Sequence, residues 1–241
     1  MIYQNENQFS RLDGVGGIYR EIIAPLVQEK YVAFCEGDDF WTDQHKIQVQ
    51  AEYMESHPDC SMCVHDTMLV NLDGEKLRRL NGSDQDQDYG MREVLFEWGR
   101  YFHTTSFFCK RETAFERSKE FYMAWVDDWA LSIYATTLGK IHYIARVMSC
   151  FRIENPESQT SQATKRSPIW LNHLTSVVKS LREINEYTNR AFDDILSPRI
   201  ASFDCWRLFY QKEYVQAFLK YPYYSLRHIA VIMLRKLKIL R

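Results

Sequence analysis

The sequence predicts an α/β fold, a mixed sheet flanked by helices over residues 1–160, followed by an all-helical tail over 161–241. Three observations predict it. Short apolar runs bounded by turn residues alternate with stretches of helical period as far as about residue 153. Beyond Ser167 only the helical period remains. No internal repeat or long linker interrupts either part, and 241 residues are enough to bury a substantial core.

The first twenty residues are polar and carry Gly14, Gly16 and Gly17. A G-x-G-G cluster suits a phosphate-binding loop when a strand precedes it; none does here, so a plain loop is the expectation. A short helix is expected over Ile18 to Gln28. Tyr31 to Cys35 is apolar at odd and even positions alike, the pattern of a strand buried on both faces. Thr42 or Asp43 can cap the next helix, whose apolar positions Ile47, Ala51 and Met54 share one face; Pro58 ends it. Cys60 to Val70 follows as a strand, and Asp73-Gly74 as a turn. The polar run NGSDQDQD, 81–88, reads as a solvated loop, and Thr104 to Cys109 as a short apolar strand. Asp127 or Asp128 opens a helix that Gly139 stops, with strands over Ile141 to Ala145 and Val147 to Arg152 after it. In the tail, Leu171, Leu174, Val178 and Leu181 make one apolar stripe; Tyr214, Val215, Phe218 and Leu219 make another.

Composition narrows the function classes. Thirty basic against thirty-two acidic residues leave a formal charge of −2, which gives no support to a nucleic-acid partner. Aromatic residues make up 15%, a content that leans towards ligand binding. The six cysteines are scattered, and no signal peptide precedes them, so reduced, buried thiols in a cytoplasmic protein are expected. No run approaches the roughly 20 apolar residues of a spanning helix.

The stretch KYVAFCEGDDFW, 30–41, crowds Glu36, Asp38 and Asp39 together at the carboxyl end of a strand. Like charges so close repel and raise one another's pKa unless something positive lies between them. Ligands of open α/β sheets bind at such strand ends, and hard oxygen donors there suit Mg²⁺ or Mn²⁺ bridging to a diphosphate. The competing explanation is a polar turn with an aspartate capping the next helix. Asp127 and Asp128 pose the same choice, because two acids at a helix start also complement its dipole.

Residues 30–54, KYVAFCEGDDFWTDQHKIQVQAEYM, closely resemble the middle of bacterial family 2 glycosyltransferases of the GT-A fold. There, a YIAF-type strand leads into an acidic E/D-G-D-D-[YF]-W signature and a T-D-x-x-K-[LI]-Q-x-Q helix. The likeness continues in TTSFFCKRE, 104–112, and in VDDWALSIYATTLGKIHYIARVMSCFRI, 126–153, which resembles the family's [EG]-D-W-x-L helix and closing strand. It covers roughly residues 5–155. The resemblance implies an incomplete, Rossmann-like GT-A domain that transfers a sugar, with inversion, from a nucleotide diphosphate-sugar to a glycan or lipid-linked acceptor in surface-polysaccharide assembly. It places Glu36, Asp38 and Asp39 on the metal and diphosphate motif, with Mn²⁺ or Mg²⁺ as the ion. It places Asp128 as general base, with Asp127 beside it. Trp41, next to the acids, is a candidate to stack on the donor.

Two departures stand out. The family has a histidine after its closing strand where this chain has Glu154 and Asn155. Only thirty-five residues precede Glu36, and Glu6-Asn7 matches the family's E-N at the entry to its third strand, so the nucleobase-binding part is expected to be missing and activity weak or absent. The alternative is a non-catalytic interaction protein, a remnant whose exposed sheet edge a partner chain completes. A metal-dependent hydrolase ranks last for want of histidine ligands.

Other features have plain structural readings. Cys60, Cys63 and His65 lack the second half-site that structural zinc needs, so buried thiols are expected. His103 reads as a hydrogen-bonded structural histidine, with acceptor contact the alternative, and Trp129 reads as core or sugar platform. The segment 225–241 sets Leu226, Ile229, Met233 and Leu237 on one face and Arg227, Arg235, Lys236, Lys238 and Arg241 elsewhere. Such a helix either docks on the body or lies peripherally on the inner membrane.

Overall fold

The computed structural model describes residues 15–96, 102–118, 121, 127–153 and 168–236. The chain divides into two compact units, residues 1–158 and 159–241. The α/β class is as the sequence predicts, with a mixed sheet and flanking helices in the first unit and helices in the second.

The first unit opens with α1 (Val15–Ile18), which runs through a π-helical turn at Tyr19–Ile23 into a 3₁₀ turn at Ala24–Leu26. Then come β1 (Tyr31–Ala33), β2 (Phe40–Trp41), α2 (Lys46–Ser56), β3 (Cys60–Val70), β4 (Lys76–Arg79), β5 (Gln87–Tyr89) and α3 (Met91–Phe96). A 3₁₀ turn at Thr104–Ser106 leads to β6 (Phe108–Lys110) and α4 (Arg111–Phe115); α5 (Asp127–Leu138) and β7 (Lys140–Arg152) are the last described elements of the unit.

Two long parallel strands, β3 and β7, form the spine, from Cys60 opposite Lys140 to Val70 opposite Arg152. Each carries two short antiparallel neighbours on its outer side. β6 and β4 lie along β3, β5 and β2 lie along β7, and β1 pairs with β6. All but one residue of β3 is buried, as expected for a strand with helices and strands around it.

Several elements differ from expectation. β7 is one strand rather than two: His65 faces Ile144 and Asp66 faces Val147, so Ala145 and Arg146 bulge out. The Asp86 carboxylate accepts from the Ala145 amide at 2.7 Å and Asp43 pairs with Arg146, which holds the bulge from both sides. β1 is half-buried rather than buried on both faces. Thr104–Ser106 is a 3₁₀ turn ahead of the strand, not part of it. The 81–88 run is anchored, because buried Asp66 accepts from the amides of Asn81 and Gly82 at 3.0 Å and from Arg79 Nε at 2.6 Å. No side-chain cap starts α2; Asp43 instead accepts from the amide of His45. Gly139 stops α5 for a different reason than a left-handed cap: a Cβ there would collide with the Asp59 carbonyl.

Among the described residues, the second unit has α6 (Pro168–Tyr187), α7 (Asp193–Tyr210), α8 (Tyr214–Lys220) and α9 (Pro222–Lys236). Leu174, Val178 and Leu181 are buried as the first stripe predicts. Buried Asp204 ties the unit together, accepting from Arg182, Arg207, Lys220 and Tyr221. The second stripe faces outward instead: Tyr214, Val215, Phe218 and Leu219 are all exposed, and Ala217 is the buried residue of α8. Among the described residues, no helix is long and apolar enough to cross a membrane.

Candidate active site

The chain leaves β1 and turns at 36–39, closed by the Asp39 amide donating to the Glu36 carbonyl at 3.2 Å. β2 then pairs with Ser149 and Cys150, which pulls the turn against the carboxyl end of β7. There Asp39 Oδ1 accepts from the Arg152 amide at 3.0 Å, and the Arg152 guanidinium donates to the Asp38 carbonyl at 3.0 Å. The acids are therefore fixed by a strand end more than a hundred positions away in sequence.

His103 enters from the loop before the 3₁₀ turn and stacks on Phe151, ring centroids 3.9 Å apart. Its Nε2 lies 3.9 Å from Glu36 Oε2 and its Nδ1 3.7 Å from Asp39 Oδ2. Burial lowers its pKa to about 4, so the imidazole is neutral near pH 7 and these are not ion pairs. Behind it runs a buried hydroxyl chain, from Thr105 Oγ1 (3.0 Å from His103 Nδ1) through Ser149 Oγ to Thr67 Oγ1.

Glu36, Asp39 and His103 each offer a ligand atom, and the three atoms lie within 4.8 Å of one another. The Asp39 side chain is fully buried, yet its Oδ2 has no hydrogen-bond partner among the described residues. Burial, with Asp38 and Glu36 adding, raises its pKa to about 6 despite the Arg152 amide. Burial also raises Glu36, followed by the charges of Asp128 and Asp38. Such a site suits a cation.

At the start of α5, Asp127 takes both nitrogens of a fully buried Arg117 fork, at 3.0 and 2.8 Å. Asp128 accepts from the amide of Trp129 at 2.8 Å, and burial holds its pKa up at about 6. Its charge acts on Glu36, so the two predicted carboxylate groups belong to one electrostatic neighbourhood. Tyr19 belongs to it too, its hydroxyl raised to about 12 by burial and then by Asp127.

No family profile matches the chain. It is 25% identical over 157 residues, 65% of its length, to a protein of Mycobacterium bovis and to two from strains of Mycobacterium tuberculosis, all uncharacterized. The match spans 44% of those relatives' length.

Of the residues singled out from sequence, Glu36 and Asp39 come together with His103. Asp38 is exposed beside them; its charge acts on all three. Trp41 is partly exposed, its Nε1 donating to the Thr105 carbonyl and its ring 4.5 Å from Lys46 Nζ. Trp129 is core, donating to the Val94 carbonyl. Cys60 and Cys63 are buried free thiols, as expected, whereas Cys35 is exposed. Glu6, Asn7, Gly14, Glu154 and Asn155 lie outside the described residues. Sequence reasoning did not place His103 or Arg152 in the acid cluster. The position of His103 one residue ahead of the T-T-S run was the available signal.

Proposed function

We infer that the chain is a metal-dependent glycosyltransferase unit of the inverting type, taking a nucleotide diphosphate-sugar as donor and a glycan or lipid-linked acceptor. The observation that carries this reading is the buried, unpartnered Asp39 Oδ2 beside Glu36, with Asp128 acting on the same carboxylate. Glu36 and Asp39, with Asp38 at the rim, would hold Mn²⁺ or Mg²⁺, which when bound supplies charge neutralisation for a departing diphosphate. Asp128 takes the proton of the acceptor hydroxyl as its oxygen attacks the anomeric carbon. Arg117, through Asp127, fixes the start of the helix from which Asp128 works. Trp41 offers a partly exposed ring for the donor.

Calorimetric titration of nucleotide-sugars with Mn²⁺ tests the reading. The expected result is heat that Asp39→Asn abolishes and Asp128→Asn leaves intact, while Asp128→Asn lowers turnover by about 10²–10⁴-fold. Absence of heat with every donor would remove the transferase reading. It would favour a partner-completed remnant, for which β1 is the relevant feature: among the described residues it pairs on one side only, with β6. Light scattering after size exclusion separates the two, since an obligate complex supports the remnant.

A cytoplasmic location, with peripheral contact to the inner membrane through residues 225–241, belongs to the same proposal. It is supported by Leu226 and Met233, which are exposed on α9.

A further inference from the structure

We propose that His103 is a metal ligand, and that the ion it shares with Glu36 and Asp39 is a first-row transition divalent such as Mn²⁺ in preference to Mg²⁺. The proposal rests on the reading of Glu36 and Asp39 as ion ligands and adds an imidazole to them. The turn acids alone would not carry it. The second observation is Asp39, whose side chain has no exposure and whose Oδ1 is fixed by the Arg152 amide, so that the orphan Oδ2 is held towards the imidazole.

The imidazole is prepared for the role. Stacking on Phe151 fixes the plane of its ring. Its Nδ1 is 3.0 Å from Thr105 Oγ1, which continues through Ser149 to Thr67. Ligation through Nε2, the nitrogen facing Glu36 Oε2 at 3.9 Å, places the ring proton on Nδ1, where Thr105 Oγ1 accepts it in place of the 3.4 Å hydrogen bond that Nδ1 takes from the Thr105 amide. A ligating histidine is commonly oriented by a hydrogen bond from its other nitrogen in this way.

The spacing also fits. The 3.9 Å between Nε2 and Glu36 Oε2 is too long for a hydrogen bond, and Asp39 Oδ2 lies beside the same ring, 3.7 Å from Nδ1. Two ligands each about 2.1 Å from one ion stand between roughly 3 and 4.2 Å apart. Nitrogen in the donor set then decides the class of ion, because imidazole suits transition divalents, whereas Mg²⁺ keeps to oxygen and water.

The test uses Mn²⁺ alone, added to the full chain and read by pulsed electron paramagnetic resonance. A nitrogen-14 coupling from a directly bound imidazole is expected, replaced by nitrogen-15 when histidine is labelled, and lost in His103→Gln. Titration should show Mn²⁺ affinity falling at least about tenfold in that variant, with the preference over Mg²⁺ narrowing. The labelled wild-type spectrum needs no variant, so a His103→Gln that fails to fold leaves the test standing. Mn²⁺ bound with oxygen and proton couplings only, or a coupling that persists in folded His103→Gln, overturns the imidazole and leaves the carboxylate site intact. Failure of Mn²⁺ to bind at all overturns both.

Discussion

A general base must be ionised to accept a proton, and burial holds Asp128 up at about 6. The proposed role therefore predicts that kcat/KM falls about tenfold per pH unit on an acidic limb at or below about 6. A profile that stays flat down to about pH 4 removes Asp128 from that role. His65 gives the opposite kind of prediction, on stability. Buried in β3, its Nδ1 2.7 Å from the Asp66 carbonyl, it is lowered to about 3 by burial and then by Lys46. The folded chain thus refuses a proton that the unfolded chain takes near 6.5, so the stability it contributes is full above about 6.5 and lost as pH falls towards 3. Urea midpoints for His65→Leu should change less between pH 6.5 and 4 than those of the wild type, by up to about 1 kcal/mol per pH unit. Equal acid sensitivity would mean that His65 is not the group responsible.

At the scale of elements, α2 shows what sequence pattern conveys and what it hides. Its existence and its end before Pro58 follow from local chemistry, and the bounds of β3 and the acidic start of α5 follow similarly from an apolar run and from Asp127 and Asp128. Its buried face does not: the apolar Ile47 is exposed, while Lys46 and Gln50 are buried. The reason is what α2 covers. Gln50 Nε2 donates at 2.8 Å to the carbonyls of both Cys63 and Ser106, and its oxygen accepts from Lys46 Nζ at 2.8 Å. A pattern of apolar positions cannot report a helix packed on unpaired carbonyls. His103 was illegible for a related reason, since its neighbours Glu36, Asp39 and Phe151 come from distant parts of the chain. The acids themselves were legible because they are adjacent in sequence. Gln50→Ala strands two buried carbonyls and should cost about 2–4 kcal/mol in denaturant unfolding. Because Ser106 ends the turn that begins at Thr104, it should also weaken Mn²⁺ binding; unchanged stability would show that these bonds carry little.

At the scale of the whole molecule, charge and apolar surface are unevenly spread. Residues 212–241 hold seven basic side chains and one acid in a chain of net charge −2. The same stretch exposes Val215 at 75%, Leu219 at 82% and Leu226 at 64%. Apolar faces with basic flanks bind anionic lipid surfaces. The full chain should sediment with vesicles containing about 30% anionic lipid, not with neutral ones, and be released by roughly 0.5 M salt. Leu226→Glu with Leu219→Glu should weaken the association, and failure to sediment with either vesicle would exclude this surface as a lipid contact.

The spine pairs Cys60 with Lys140 and Val70 with Arg152, so the last strand of the first unit completes a sheet begun early. During translation the acidic turn leaves the ribosome long before its anchoring amide exists. A nascent polypeptide halted ahead of Arg152 would carry Glu36 and Asp39 without the scaffold that orients them. Parallel pairing between such remote segments is slow to form. Competence of the cluster therefore waits on the strand end that carries Arg152.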